Sequence, residues 1–140
     1  MSRSKIININ GREYELYFST WAMRKMSEAI GGDISYVGEW LNTGDVCESL
    51  ERYGQIIAIL INGGIAKHNA DVDFGLCEGD KKPFISAEYI NCVLNAGDLL
   101  MYKDEIFAAM NMGTEFTVPD GVEIAEKDYD LMEIEREKNP

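Results

Sequence analysis

The chain has 140 residues, of which 46% are hydrophobic, and it carries 25 acidic against 13 basic residues for a formal net charge of −12. This length and apolar content suit one compact domain with its own core. The acidic balance argues against nucleic acid and anionic membranes as partners, because both attract clustered Lys and Arg. It suits solubility and contact with a basic or apolar protein partner, and an ordinary solubilising surface is the alternative.

The first predicted element is a β-hairpin over residues 5–18. Apolar and polar residues alternate on both sides of the dipeptide Asn10-Gly11. Asn-Gly suits a two-residue type I′ turn, in which both central residues have positive φ. The pattern therefore predicts two antiparallel strands joined by a tight turn.

Two helices are expected next. Ser19 or Thr20 caps the first, which runs to about Ile30 and ends at Gly31-Gly32, where glycine supplies a left-handed C-cap. The second is short and covers residues 35–41. Its inward-facing side chains are predicted to be Tyr36, Val37, Trp40 and Leu41.

The most apolar segment lies in the middle of the chain. A helix is predicted from Val46 to Ile65, with Val46 on its inward face. Its second half is apolar nearly all round, which is typical of a central buried helix. Its longest apolar run, Ile56 to Ile61, is too short to span a membrane. Residues 67–83 show no period and are interpreted as a long surface loop.

Two further helices and a tail complete the prediction. One helix is capped by Ser86 and ends near Asn95, and another is capped by Asp98, reaches about Met112 and stops at Gly113. Residues 120–140 hold eight acidic and three basic residues with few large apolar ones. The fold class is therefore α+β and mainly α: an N-terminal hairpin and about five helices around a central apolar helix form a domain over residues 1–113, followed by an acidic tail over residues 114–140.

No catalytic, cofactor-binding or metal site is predicted. His68 is the chain's one histidine and falls within the expected loop, with no nucleophile motif to accompany it. Cys47, Cys77 and Cys92 lack the paired spacing of zinc ligands, and they indicate reduced thiols in the cytoplasm. Cys47 and Cys92 are interpreted as small buried side chains. Asp71, Asp73, Glu78 and Asp80 crowd the expected loop but depart from the calcium-binding EF-hand pattern, so no calcium site is expected. Because no constellation of catalytic side chains is recognised either, an enzyme is not expected.

Apolar residues outside the main helical stripes are candidate contacts with a partner. Trp21 projects on the charged side of its helix, and Met101, Ala108 and Met112 form a second row on the last helix. Methionine adapts to irregular apolar surfaces. These four residues are predicted to bind a partner protein or a second copy of the chain. The alternative, that both helices are simply buried on two sides, stays open.

The N-terminal third resembles the tail assembly chaperones of siphophages and of prophages in Gram-positive bacteria. The resemblance rests on the hairpin Ile7–Tyr14, the Phe18-Ser19 step and the helix core Ala22–Met26 that closes at Gly31-Gly32. It covers residues 5–41 and extends loosely over residues 84–113.

The resemblance implies a binding function in the cytoplasm of the bacterial host. Such chaperones bind the long tape measure protein, keep it soluble and help to recruit tail tube protein around it. Two alternatives stay open: another phage morphogenetic or structural protein, such as a head–tail connector or a tail completion protein, and a cytoplasmic protein-binding adaptor. The resemblance assigns no binding residues and implies no cofactor.

Overall fold

The computed structural model describes residues 4–114, with side chains for residues 5–110, and it confirms the α+β, mainly α, fold class. Residues 115–140 of the predicted acidic tail and the side chain of Met112 lie outside what is described. The elements, in chain order, are β1 (Ser4–Ile9), β2 (Arg12–Tyr17), α1 (Thr20–Ile30), a 3-10 turn (Ile34–Tyr36), α2 (Val37–Leu41), α3 (Val46–Asp73), α4 (Ala87–Val93), α5 (Ala96–Met101) and α6 (Lys103–Thr114).

The predicted hairpin is confirmed, including its turn. β1 and β2 pair in antiparallel register from Ser4 opposite Tyr17 to Ile9 opposite Arg12. Asn10 has φ 55° and Gly11 has φ 83°, the two positive values that a type I′ turn requires. The Asn8 side-chain oxygen accepts a 3.1 Å hydrogen bond from the Gly11 N–H, so a side chain of β1 also stabilises the turn.

The caps of α1 also follow the prediction. Ser19 Oγ accepts a 3.1 Å hydrogen bond from the Ala22 N–H, and Gly31 closes the helix at φ 81°. The short following helix begins as a 3-10 turn, and Val37 and Leu41 are buried as expected. Tyr36 was predicted to face inward and is instead 57% exposed, because the 3-10 turn rotates it off the face that α2 presents to the core.

The central helix α3 is longer than predicted. Its 28 residues continue to Asp73, so the first part of the expected 67–83 loop is helical. The predicted burial of the apolar second half is confirmed at four residues that are at most 1% exposed: Ile56, Ile57, Leu60 and Ile61. Val46 is 73% exposed, contrary to prediction, because it opens the first turn beyond the packed part of the helix. None of the helices within residues 4–114 is long and apolar enough to cross a membrane.

The glycine pair in α3 brings this helix against the hairpin. A β-carbon at Gly64 would lie 2.7 Å from the backbone carbonyl oxygen of Glu15, and one at Gly63 would overlap that of Tyr17. Only glycine permits so close an approach of a helix to a strand. The pair therefore fixes where α3 crosses β2.

The C-terminal helices differ from prediction in their caps. Asn95, rather than Asp98, is the N-cap of α5, and Asp98 closes a capping box from the third helical position. Tyr102 separates α5 from α6, and Gly113 lies inside α6 instead of ending it. The core-facing residues of these two helices are buried: Leu99 in α5, and Ile106, Ala109 and Met110 in α6.

Candidate functional site

The segment that joins α3 to α4, residues 74–86, folds back along α3; we call it the strap. Its extended second half is bound to the helix by two asparagines. The Asn62 side chain donates to the Ile85 carbonyl and accepts from the Ile85 N–H, both at 2.8 Å. The Asn69 side chain likewise donates to the Lys82 carbonyl oxygen at 3.0 Å and accepts from the Lys82 N–H at 2.8 Å. Each side-chain amide thus satisfies both the N–H and the C=O of one strap residue, as a neighbouring β-strand would.

The spacing of these asparagines matches the two kinds of backbone. Seven helical residues from Asn62 to Asn69 advance about 10.5 Å along the helix axis. The three extended residues from Lys82 to Ile85 advance about 10 Å. Because these two lengths agree, Lys82 and Ile85 of the antiparallel strap each lie opposite one asparagine of α3.

Two further contacts hold the beginning of the strap. His68 Nε2 lies 2.9 Å from the Asp80 carbonyl oxygen, which only accepts, so this nitrogen carries the hydrogen. Lys81 Nζ lies 3.2 Å from an Asp73 carboxylate oxygen. His68 was expected in a loop; it belongs to α3, and its ring positions the strap.

A groove of about 680 Å³ lies between the strap, α3 and β2; we call it the strap groove. Its lining combines the tip of β2, one side of α3 and the extended part of the strap: Arg12, Glu13, Tyr14, Glu15, Ile61, Gly64, Ile65, Lys67, His68, Asp71, Cys77, Lys82, Pro83, Phe84 and Ile85. Three of these residues are basic and three acidic, so the groove is locally balanced in a chain of net charge −12.

Lys67 connects the two walls of the groove. Its ammonium nitrogen lies 3.8 Å from a Glu15 carboxylate oxygen and 5.5 Å from the centre of the Tyr17 ring. These side chains extend from the outer face of β2 and are partly solvated, so the pairing orients Lys67 more than it stabilises the fold.

Large apolar side chains are exposed along the strap. Phe74 is 80% exposed, Leu76 75% and Phe84 54%. Phe84 lines the groove, whereas Phe74 and Leu76 lie in the turn at which the strap leaves α3. Three large apolar side chains within eleven residues form an exposed apolar surface of the kind that binds proteins.

Trp21 lies at the strap and not on an open helix face. Its ring stacks on that of Phe84, with centroids 5.5 Å apart and planes 16° apart, and the Lys25 ammonium lies 5.6 Å from the Trp21 ring centre. Trp21 is half-buried and packs against the core. Partner binding by Trp21 stays a prediction, and the structure places this residue next to the strap.

The other three predicted contacts do not form one row on a single helix, because Tyr102 interrupts the predicted last helix. Met101 ends α5 and is 61% exposed, and Ala108 is half-buried in the middle of α6. The side chain of Met112 is outside the described residues. The predicted surface is therefore divided between two helices, and of its two side chains described there Met101 is the exposed one.

The cysteines also differ from prediction. Cys47 and Cys92 were expected to be buried, yet they are exposed, as is Cys77. Both residues lie on helix faces that point away from the core. The prediction of burial was based on the small, apolar side chain of cysteine, which does not determine the face on which it lies. Within the described part of the chain, no three His, Cys, Asp or Glu side chains converge as metal ligands would.

The residues that build the strap groove were not predicted from the sequence. Asn62 and Asn69 gave one usable signal, since two amides seven residues apart lie on one side of a helix. A second signal was the presence of large apolar residues in a predicted surface loop, namely Phe74, Leu76 and Phe84.

Comparison with known proteins adds no relative: no family model, no curated protein and no solved structure matches the chain.

Proposed function

We propose that this protein is a phage tail assembly chaperone that binds the tape measure protein at the strap, keeps it soluble and assists assembly of the tail tube around it. The observation that carries the binding function is the exposure of Phe74, Leu76 and Phe84 beside a groove. The identity of the client comes from the resemblance of residues 5–41 to such chaperones.

The energetics of the strap favour an apolar client. Covering exposed apolar surface contributes about 25 cal/mol per Å², so a few large side chains supply a useful part of a binding free energy. The balanced charges that line the groove impose no net repulsion on a client of either sign. The remaining acidic surface keeps a complex with an aggregation-prone client in solution.

The direct test is co-expression with the tape measure protein from the same phage genome. The wild-type chain should increase the fraction of tape measure protein that stays soluble. A variant carrying Phe74→Ser and Leu76→Ser should lose most of this effect while its own circular dichroism spectrum is unchanged, because both side chains are more than 70% exposed. The matched control carries Tyr36→Ser and Val46→Ser, which are 57% and 73% exposed and belong to other elements, the 3-10 turn and the first turn of α3.

Three results would contradict the proposal. An unchanged soluble fraction with wild-type protein would remove the chaperone function. Equal losses in the strap variant and the control would remove the strap as the binding surface. A chaperone leaves before the particle is complete, so finding this chain in purified virions would favour a head–tail connector or tail completion protein instead.

A further inference from the structure

The two outer edges of the hairpin are not equivalent. In an antiparallel pair, residues alternate between directing their N–H and C=O groups at the partner strand and directing them outward. Ile9 and Arg12 flank the two-residue turn and bond to each other, so Ser4, Ile6 and Asn8 direct theirs outward from β1. Glu13, Glu15 and Tyr17 do so from β2.

Side-chain and glycine contacts agree with this alternation. The Glu15 and Tyr17 carbonyl oxygens are the ones that closely approach Gly64 and Gly63, so α3 covers most of the outer edge of β2. The Tyr102 hydroxyl donates to the Asn8 carbonyl oxygen on the outer edge of β1. Among the described residues, this is the one hydrogen bond made to an outward backbone group of β1.

Within residues 4–114, the outward N–H and C=O of Ile6, at the centre of this edge, therefore have no hydrogen-bond partner. Ile6, at that centre, is also 59% exposed. Proteins usually protect such edges with charged side chains, proline or a covering element. In β1 the one charged residue is Lys5, whose ammonium nitrogen lies 3.5 Å from a Glu105 carboxylate oxygen and so is directed toward α6.

The distribution of charge favours β1 over β2 as the edge at which two copies of the chain meet. Two copies of a chain with net charge −12 repel one another over most of their surfaces. The six residues of β1 contain no carboxylate, whereas β2 contains Glu13 and Glu15. Contact along β1 therefore keeps the acidic residues of two copies farther apart than contact along β2.

We infer that β1 pairs in antiparallel orientation with β1 of a second copy, about a two-fold axis at Ile6. This arrangement sets Ile6 opposite its own symmetry mate, so that the two Ile6 residues exchange both of their backbone hydrogen bonds, and it joins the two hairpins into one four-stranded sheet. The Asn8 carbonyl oxygen keeps the Tyr102 hydroxyl as its donor, so the pairing is centred on Ile6. A two-fold contact needs a self-complementary surface. A short strand without carboxylates, centred on isoleucine, meets that need, and the added backbone hydrogen bonds supply the direction of pairing.

The test is the molar mass of the purified chain in solution, measured by light scattering across a hundredfold range of concentration. Wild-type protein should rise from 15.8 kDa to twice that mass. Ile6→Pro removes an outward N–H without touching the hairpin ladder, so this variant should stay at the monomer mass. Ile6→Lys should do the same by placing like charges at the axis, whereas Tyr36→Lys, at a similarly exposed residue, should dimerise as the wild type does.

Amide hydrogen exchange supplies a measurement that does not depend on variants. The Ile6 N–H should become more protected as concentration rises, while the Asn10 N–H in the turn should not. A wild-type chain that stays monomeric at every concentration would overturn the inference, as would dimers of unchanged strength in Ile6→Pro. Because no tape measure protein is present, these outcomes are independent of the chaperone test.

Discussion

The side chain of Asn62 and the backbone of Ile85 exchange two hydrogen bonds of 2.8 Å across the 23 residues that separate them. Both residues are half-buried, at the point where the strap returns to the core. The pair therefore determines where the strap ends and where α4 begins. It is also the more shielded of the two asparagine contacts, since the Asn69–Lys82 pair is exposed.

Replacing Asn62 with alanine should destabilise the fold more than the same change at Asn69. Asn62→Ala leaves the N–H and C=O of Ile85 without partners in a half-buried position, at a cost of about 1–3 kcal/mol in the free energy of unfolding. Water replaces the lost partner at Asn69, so Asn69→Ala should cost clearly less. Urea denaturation of both variants measures the difference. Equal losses would mean that burial does not distinguish the two contacts.

Gly63→Ala should destabilise the protein even though alanine favours helices. The gain in helix propensity is about 1 kcal/mol. The new methyl group would overlap the Tyr17 carbonyl oxygen, and forcing α3 away from β2 costs about 1–3 kcal/mol, or more if the strand has to move. Thermal denaturation should therefore give a lower Tm.

Gly38→Ala is the matched control for that change. Gly38 also lies in a helix, has an ordinary φ, and has no atom within 4 Å of the position of an added β-carbon. Its Tm should stay the same or rise. If Gly63→Ala also raised the Tm, the close crossing of α3 and β2 would be wrong.

Local signals predicted the N-terminal half of the fold well. Asn10-Gly11 and Ser19 act through their own turns and caps, and no distant residue alters what they do. The buried face of α3 was equally predictable, because helical periodicity places Ile57 and Ile61 on one side.

The candidate site was less predictable because it depends on long-range contacts. Periodicity fades after Ile65, since the last turns of α3 pack against the strap through Asn69 and His68 rather than through apolar side chains. Trp21 was singled out from the sequence as a candidate partner contact, but its contact with Phe84 joins residues 63 positions apart. No local pattern records such a pairing.

Stacking of Trp21 on Phe84 should make Trp21 fluorescence a reporter of the strap. The chain has two tryptophans, so Trp40→Phe isolates the signal of Trp21. In that background, Phe84→Ala should shift the emission to the red by exposing the Trp21 ring, and losing the aromatic pair should cost about 0.5–1.5 kcal/mol. Leu76→Ala, in the exposed turn of the strap, should leave the emission unchanged. An unshifted spectrum in Phe84→Ala would show that the rings are not stacked in solution.

The three exposed cysteines provide a footprint of client binding. Cys47, Cys77 and Cys92 are all accessible, so a thiol reagent should label three sites in the native protein, as many as in denaturant. Cys77 lines the strap groove, whereas Cys47 and Cys92 lie at the start of α3 and in α4. If the tape measure protein occupies the groove, it should slow labelling of Cys77 several-fold and leave Cys92 unaffected. Peptide mass analysis after a short labelling pulse separates the three sites. Equal protection of Cys77 and Cys92 would place the client elsewhere, and no protection of Cys77 in a stable complex would exclude the strap groove as its binding site.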